Sequence, residues 1–147
     1  MFNKQAEQEC CDHEDAVSKE VSINFNQNSV FNLKPIDISE VRQDIQALFV
    51  NDEEIVCAFK TIRDQLVFTN KRIIGIDVQG ITGMKRNFAI MPYSSVQYFS
   101  IQTPGFAEIF SDSELFLMFA NGFTAKFEFR GAVDVAKLGR VIAAKIL

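Results

Sequence analysis

The sequence predicts a mostly β fold: a curled antiparallel sheet or barrel of seven strands, with a short helix before it and an α-helix closing the chain. Three observations lead to this class. Seven segments of strand length follow one another, separated by short polar turns. The last residues place apolar side chains on one helical stripe. The chain has 147 residues, which is the usual size of one domain with a real core.

The first 34 residues have the composition of a tail. They carry six acidic residues and three lysines, with Asn and Gln filling much of the rest. We expect an acidic N-terminal extension over residues 1–34 that is partly disordered or forms an arm. Apolar residues within 23–33 suit a short strand or an arm docked on the body or on a neighbour. Pro35 marks the boundary, and residues 35–147 form the globular domain.

A short amphipathic helix is predicted directly after this boundary. Its apolar residues recur with helical spacing, and Asp37 or Ser39 is the expected cap. We expect the helix to end near Asn51. The apolar positions are Ile38, Val41, Ile45, Leu48 and Phe49.

The central part of the chain predicts the strands and their tight turns. Asn121 and Gly122 give the strongest turn signal, and Gly80 and Gly83 supply the positive φ that a tight reversal needs. Such short strands joined by tight turns favour a sheet that curls on itself. The seven segments are EIVCAFKTI, QLVFT, RIIGID, RNFAIM, SVQYFSI, ELFLMF and FTAKFEFR.

The segment ELFLMF raises the question of what covers its second face. Consecutive apolar residues in a strand point to opposite sides of the sheet, so one side faces the core and the other needs a cover. Three covers remain open: the terminal helix, the arm of residues 23–33, or another subunit.

The chain ends in an amphipathic helix. Val135, Leu138, Ile142 and Ile146 fall on one stripe, away from the basic residues of the same segment. Because this stripe needs something apolar to cover, we expect the helix to cap the open end of the curled sheet.

Several classes of chemistry are disfavoured. The one histidine, His13, lies in the acidic stretch CCDHED, and adjacent cysteines cannot easily occupy two corners of one metal site. We therefore expect no metal, no cofactor and no enzyme activity, since a Ser or Cys nucleophile would lack its usual base. The three cysteines are not a disulfide framework, and Cys57 is expected to be a small buried apolar residue.

Charge and hydropathy limit the partners and the location. The formal net charge of −4 disfavours a broad nucleic-acid surface. The N-terminus has no signal-peptide pattern, and no apolar run of about 18 residues is present, so a cytoplasmic protein without a transmembrane segment is expected.

A local excess of basic residues between 60 and 86 is the exception. Only Asp64 and Asp77 oppose it within that stretch, so it is a candidate site for an anion or an anionic membrane surface. Arg63 and Asp64 have a second interpretation, as a structural clasp at a turn. The basic residues are Lys60, Arg63, Lys71, Arg72, Lys85 and Arg86.

Three motifs occur in order: IRDQLVFTNKRIIGIDVQGITGMK, MPYSSVQYFSIQTPG and SELFLMF. Through them the chain, from about Val41 to Leu147, resembles the bacterial pleckstrin-homology (PH) domain family. Gln102, where the family has an acid, and the long apolar loop TPGFAEIF depart from the family pattern. The motif positions taken as structural are Arg63, Asp64, Asn70, Gly80, Gly83, Pro92 and Tyr93.

The resemblance implies a PH-like curled sheet capped by the last helix, and ring-like homo-oligomers. It implies no activity. The sequence therefore predicts a non-enzymatic interaction module that self-assembles through strand edges and apolar faces, with an unidentified protein as a further expected partner. Anionic ligand or peripheral membrane binding through the basic residues is the alternative.

Overall fold

The computed structural model describes residues 29–103 and 112–147. Within them, eight strands form one sheet in the order β5-β4-β3-β2-β1-β8-β7-β6. All neighbours are antiparallel except β1 and β8, which run parallel. The mostly β fold class is confirmed. The strands are β1 (Ser29–Ile36), β2 (Ile55–Lys60), β3 (Gln65–Thr69), β4 (Arg72–Gln79), β5 (Lys85–Pro92), β6 (Val96–Gln102), β7 (Ser113–Phe119) and β8 (Thr124–Phe129).

The described residues contain one strand more than the seven predicted. This additional strand, β1, contains Pro35, so the boundary expected between residues 34 and 35 falls within it. Its first half pairs with β8 and its second half with β2, and Asn32 has a positive φ of 59° where the register shifts. The sequence left a short strand or an arm open for residues 23–33, and the described part of that segment is a strand. Pairing with β8 and β2 stabilises it despite its polar residues and Pro35.

The short N-terminal helix is present but is interrupted. A 3₁₀ turn spans Ile38–Glu40, and helix α1 covers only Gln43–Gln46, so the expected end near Asn51 is wrong. Asp37 caps the 3₁₀ turn as expected. The amide of the Gln65 side chain accepts from the Arg42 N–H at 3.0 Å and donates to the Glu40 carbonyl at 3.0 Å. These backbone groups therefore bond β3 instead of continuing a helix.

The buried residues form two clusters, one on each face of the sheet. The larger lies inside the curl and contains the rings of Phe59, Phe68, Phe127 and Phe129. The smaller lies on the outer face of β2 to β4, where Val41 and Ile45 of the α1 segment cover it. Apolar residues on both faces of β4 are buried for this reason.

Helix α2 (Val135–Ile146) closes the chain as predicted. Asp134 caps it by accepting from the Lys137 N–H at 3.0 Å. Val135, Leu138 and Ile142 are buried in the inner cluster. Gly139 faces β6, where the absence of a side chain lets the helix approach Ile101 closely.

Candidate functional site

The ends of the β2–β3 and β4–β5 hairpins are tied together by Arg63 and Asp64. The Arg63 guanidinium donates from Nη2 to the Gly80 carbonyl. The carboxylate of Asp64 is buried and accepts from the Val78 N–H at 2.8 Å, while the Asp64 N–H donates to the Thr61 hydroxyl at 3.2 Å. The pair therefore joins two hairpins, whereas the sequence indicated a single turn.

Arg72 is held in a buried ion pair at the opposite end of β4. Its Nε lies 2.9 Å from Glu53 Oε1, and the two side chains are 18% and 0% exposed. Burial acts to raise the pKa of Glu53. The bonds from Arg72, the Val50 N–H and the Thr69 hydroxyl outweigh it and hold that pKa below its usual value. Arg72 also donates to the Leu48 carbonyl at 2.6 Å, so groups of its own chain engage its guanidinium at Nε and Nη2.

Tyr93 and Asn70 hold the chain around the same end of β4. Tyr93 is fully buried, and its hydroxyl donates to the Thr69 carbonyl at 2.7 Å. Burial raises the pKa of this phenol. Asn70 accepts from the Glu54 N–H at 2.9 Å and donates to the Asp52 carbonyl at 2.9 Å. Pro92, the last residue of β5, directly precedes the 3₁₀ turn Tyr93–Ser95.

Two further basic residues of the predicted patch are paired with acids of the segment before β2. Lys60 Nζ lies 3.6 Å from Glu40, and Arg86 Nη1 lies 3.0 Å from Asp44. Asp44 also binds Arg42 at 2.9 Å, and that hydrogen bond is the main cause of its lowered pKa. The sequence did not reveal Glu40 and Asp44 as partners, because only folding brings the segment before β2 close to Lys60 and Arg86.

The structure does not gather the six basic residues into one patch. Lys71 and Arg72 lie at the β3–β4 turn, and Lys85 and Arg86 pair with the other end of β4. The eight residues of β4 separate the two groups by about 23 Å, at roughly 3.3 Å per residue. Only Lys60, Arg63, Lys85 and Arg86 share one end of the sheet.

Exposed apolar residues accompany this basic end. Ile62 at the β2–β3 turn is 82% exposed, Met84 at the β4–β5 turn is 81% exposed, and Ile81 is fully exposed. The bond between Arg63 and the Gly80 carbonyl brings the two turns together. Gly80 and Gly83 have φ values of 80° and 66°, which permit the second turn. The result is a tip with both apolar and basic side chains.

A second exposed apolar surface is the outer face of β6 and β7. Leu115, Leu117 and Phe119 of β7 point into the core, whereas Phe116 and Met118 point outward. Tyr98 of β6 is 52% exposed and pairs in register with Met118. Its ring centroid lies 6.2 Å from that of Phe116. The outer side of this strand thus remains partly exposed in the described residues.

Charged residues border this face. Glu114 lies 3.3 Å from Lys126 across β7 and β8. Glu128 pairs in register with Glu114. Burial is the largest cause that raises the pKa of Glu128, followed by its hydrogen bond with Asp112 and the negative charges of Asp112 and Glu114. The face therefore carries both signs of charge.

Most of the chain matches a known protein family. The family model described as the bacterial PH domain matches residues 24–146. The chain belongs to the bacterial PH domain family. This bacterial PH domain is 31% identical over 113 residues to the uncharacterized protein YjqA of Bacillus subtilis, covering 77% of this chain and 90% of YjqA. It is 33% identical over 98 residues to the uncharacterized protein YozO of the same organism, covering 67% and 82%.

Solved structures show the same fold. A protein with a pleckstrin-homology domain from Shewanella loihica has 31% identity and a TM-score of 0.66, covering 80% of this chain and 99% of its own. A pleckstrin-homology domain from Shewanella amazonensis has 31% identity and a TM-score of 0.55, covering 76% and 90%. The PH-like fold expected from the three motifs is confirmed.

Cys57 of β2, which was expected to be buried, is only partly buried in the structure. Burial raises the pKa of the Cys57 thiol to about 12, so the thiolate is not formed near neutral pH. No helix in residues 29–103 or 112–147 combines the length and apolar character needed to span a membrane. Three predictions lie outside the described residues: the CCDHED stretch with His13, the arm before residue 29, and the loop TPGFAEIF.

Proposed function

We propose that this bacterial PH domain is a non-enzymatic interaction module that self-assembles into a closed, ring-like homo-oligomer. The observation that supports this most is the apolar outer face of β6 and β7, formed by Tyr98, Phe116 and Met118. It adjoins β6, which ends the sheet. An edge strand and an adjacent exposed apolar face together favour protein–protein contact.

A second copy of the chain is the partner that we favour. The border of this face contains both acidic and basic residues, including the Glu114–Lys126 pair, so a like chain meets no single-sign repulsion there. Identical surfaces that meet form a two-fold dimer. A ring instead requires the β6–β7 face to contact a different surface of the next copy.

Light scattering across a range of protein concentrations tests the assembly. We expect one mass, larger than a dimer, that is constant over the range. Met118→Glu should shift it to the monomer, because it places a charge in the contact. Ile38→Glu is the matched control, since Ile38 is as exposed as Tyr98 but lies in the 3₁₀ turn before α1. A wild-type monomer at high concentration contradicts the proposal, as does equal dissociation by both variants.

The tip of the two hairpins supports a second candidate function, contact with an anionic membrane surface. Ile62, Ile81 and Met84 are almost fully exposed, and Arg63 and Lys85 flank them. Apolar side chains that enter the lipid interface, together with cations that attract anionic headgroups, are the usual basis of peripheral membrane binding. Of the six basic residues predicted to bind anions, this candidate function uses only those at the same end of the sheet as the tip, which are Lys60, Arg63, Lys85 and Arg86.

Flotation with vesicles distinguishes this candidate from self-assembly. Vesicles of phosphatidylcholine mixed with phosphatidylglycerol should carry the protein at low salt, and vesicles of phosphatidylcholine alone should not. Ile81→Ser with Met84→Ser should abolish flotation while the mass in solution stays unchanged. Val50→Ser, at an exposed apolar position distant from the tip in sequence, is the control. Absence of flotation, or flotation unchanged by the tip variant, refutes membrane contact.

A further inference from the structure

A groove of about 450 Å³ lies between β5 and the turn that joins β7 to β8. Asn87, Ala89 and Met91 form part of one side, and Phe119 and Phe123 form part of the other. β5 ends the eight-stranded sheet, so none of the described strands pairs with it on its free side. The groove thus adjoins a strand that no described strand pairs with on one side, and none of the described residues that line it is charged.

The first described residue, Ser29, pairs with β8 close to the turn that borders this groove. β1 is parallel to β8, and Ser29 pairs with Lys126. If that register continued backward, residue 27 would lie beside Thr124, the first residue of β8. Phe123, which lines the groove, immediately precedes Thr124. A continuation of β1 in this register would therefore approach the groove.

The sequence of that segment suits the groove. Residues 21–26 read VSINFN, so Val21, Ile23 and Phe25 alternate with polar residues and share one face of an extended chain. The six residues carry no charge, like the lining of the groove. The acidic residues lie farther upstream, between Glu7 and Glu20, and do not match an uncharged groove.

We propose that residues 21–26 dock in an extended conformation in the groove of their own chain, with Ile23 and Phe25 against Phe119 and Phe123. Residue 23 is four residues before residue 27, which allows a reach of about 13 Å along an extended chain. That reach allows the segment to fill the groove without leaving its own chain. This docking is independent of the β6–β7 face.

The loop of residues 104–111 is a poorer occupant, although it is also apolar. It connects Thr103 to Asp112, and Asp112 directly precedes the first residue of β7. Phe119 lies at the other end of β7, about 20 Å away at roughly 3.3 Å per residue. The loop would have to span that distance twice, whereas the segment before Ser29 is attached close to Phe123.

Hydrogen exchange of the amides of residues 87–91 tests the docking. The full chain and a variant that lacks residues 1–20 should exchange at the same rate, because both keep the docking segment. A variant that lacks residues 1–27 should exchange about tenfold faster in this stretch, since the cover is lost. Phe25→Ser in the full chain should reproduce the faster exchange without truncation, and Val17→Ser should not.

A synthetic peptide of residues 20–27 provides the complementary test. It should bind the variant that lacks residues 1–27 and slow its exchange, and it should not bind the full chain, whose groove is filled. Equal exchange in all variants, or equal peptide binding to both chains, overturns the proposal. Protection of residues 87–91 that depends on protein concentration also overturns it, because the segment would then come from a second copy.

Discussion

At the scale of residues, two of the buried carboxylates, those of Asp64 and Glu53, are held by groups far from them in sequence. Asp64 accepts from the Val78 N–H, and Glu53 binds Arg72. The sequence indicated a turn role for Asp64 but gave no sign of Glu53, whose partner lies nineteen positions away. Local patterns reveal a turn because its bonds are local, whereas only the folded hairpins bring these groups together.

Replacing Asp64 should destabilise the fold. Asp64→Ala leaves the buried Val78 N–H without its acceptor, and we expect a loss of about 2 kcal/mol in the free energy of unfolding. Asp64→Asn keeps an acceptor oxygen and should lose less. Denaturant unfolding of the two variants beside the wild type measures the difference. An Asp64→Ala curve that matches the wild type would contradict the clasp.

Glu53 should make stability depend on acid. Its pKa is lowered in the folded state, so its contribution is fully present above the unfolded pKa near 4.5 and is lost as pH falls through the lower folded pKa. Glu53→Gln should reduce this acid dependence. At neutral pH it should cost about 3 kcal/mol, because Arg72 loses its buried partner. Thermal melts from pH 7 to about pH 3 measure both effects.

At the scale of elements, packing between α2 and β6 depends on the size of one residue. A Cβ placed on Gly139 would lie 2.6 Å from Ile101 Cδ1. Helical periodicity predicted α2 and its apolar stripe correctly. Periodicity could not show that the helix comes close to β6 at Gly139, since that depends on the distance between the two elements.

Enlarging Gly139 should separate these elements. Gly139→Val adds a branched side chain where even one carbon is too close, and we expect a loss of about 2 kcal/mol in the free energy of unfolding. Ile101→Ala in the same chain should recover part of it by making room. Equilibrium unfolding of the single and double variants measures these losses. A double variant that loses more stability than the two single variants together would contradict this contact.

At the scale of the whole molecule, three acidic residues, Asp112, Glu114 and Glu128, lie close together at the border of the proposed assembly face. Burial, Asp112 and Glu114 raise the pKa of Glu128. Sequence alone gave the net charge of the chain but not this grouping, because the three acids belong to the start of β7, the residue before it, and β8.

The raised pKa of Glu128 makes the stability of the fold depend on pH in the direction opposite to that caused by Glu53. Folding favours the protonated form of Glu128, so stability falls as pH rises from the unfolded pKa near 4.5 through the raised folded pKa. Glu128→Gln should remove this fall and raise stability at neutral pH by less than about 1 kcal/mol. Melts at pH 4.5 and pH 7 compare the two chains, and a variant less stable at pH 7 would refute the sign.

The position of β1 also determines when the sheet can close during folding. β1 joins β2 on one side and β8 on the other, so the first described strand pairs with the last. In the groups β2–β3–β4–β5 and β6–β7–β8, each strand pairs with its neighbour in sequence. Within the sheet, only β1 connects the two groups, and its pairing with β8 places Ser29 beside Lys126. During synthesis β1 leaves the ribosome before the other described strands, and it can pair with β8 only after all of them have been made. Closure of so long a loop is slow, so the edge of β8 that faces β1 stays unpaired until it occurs.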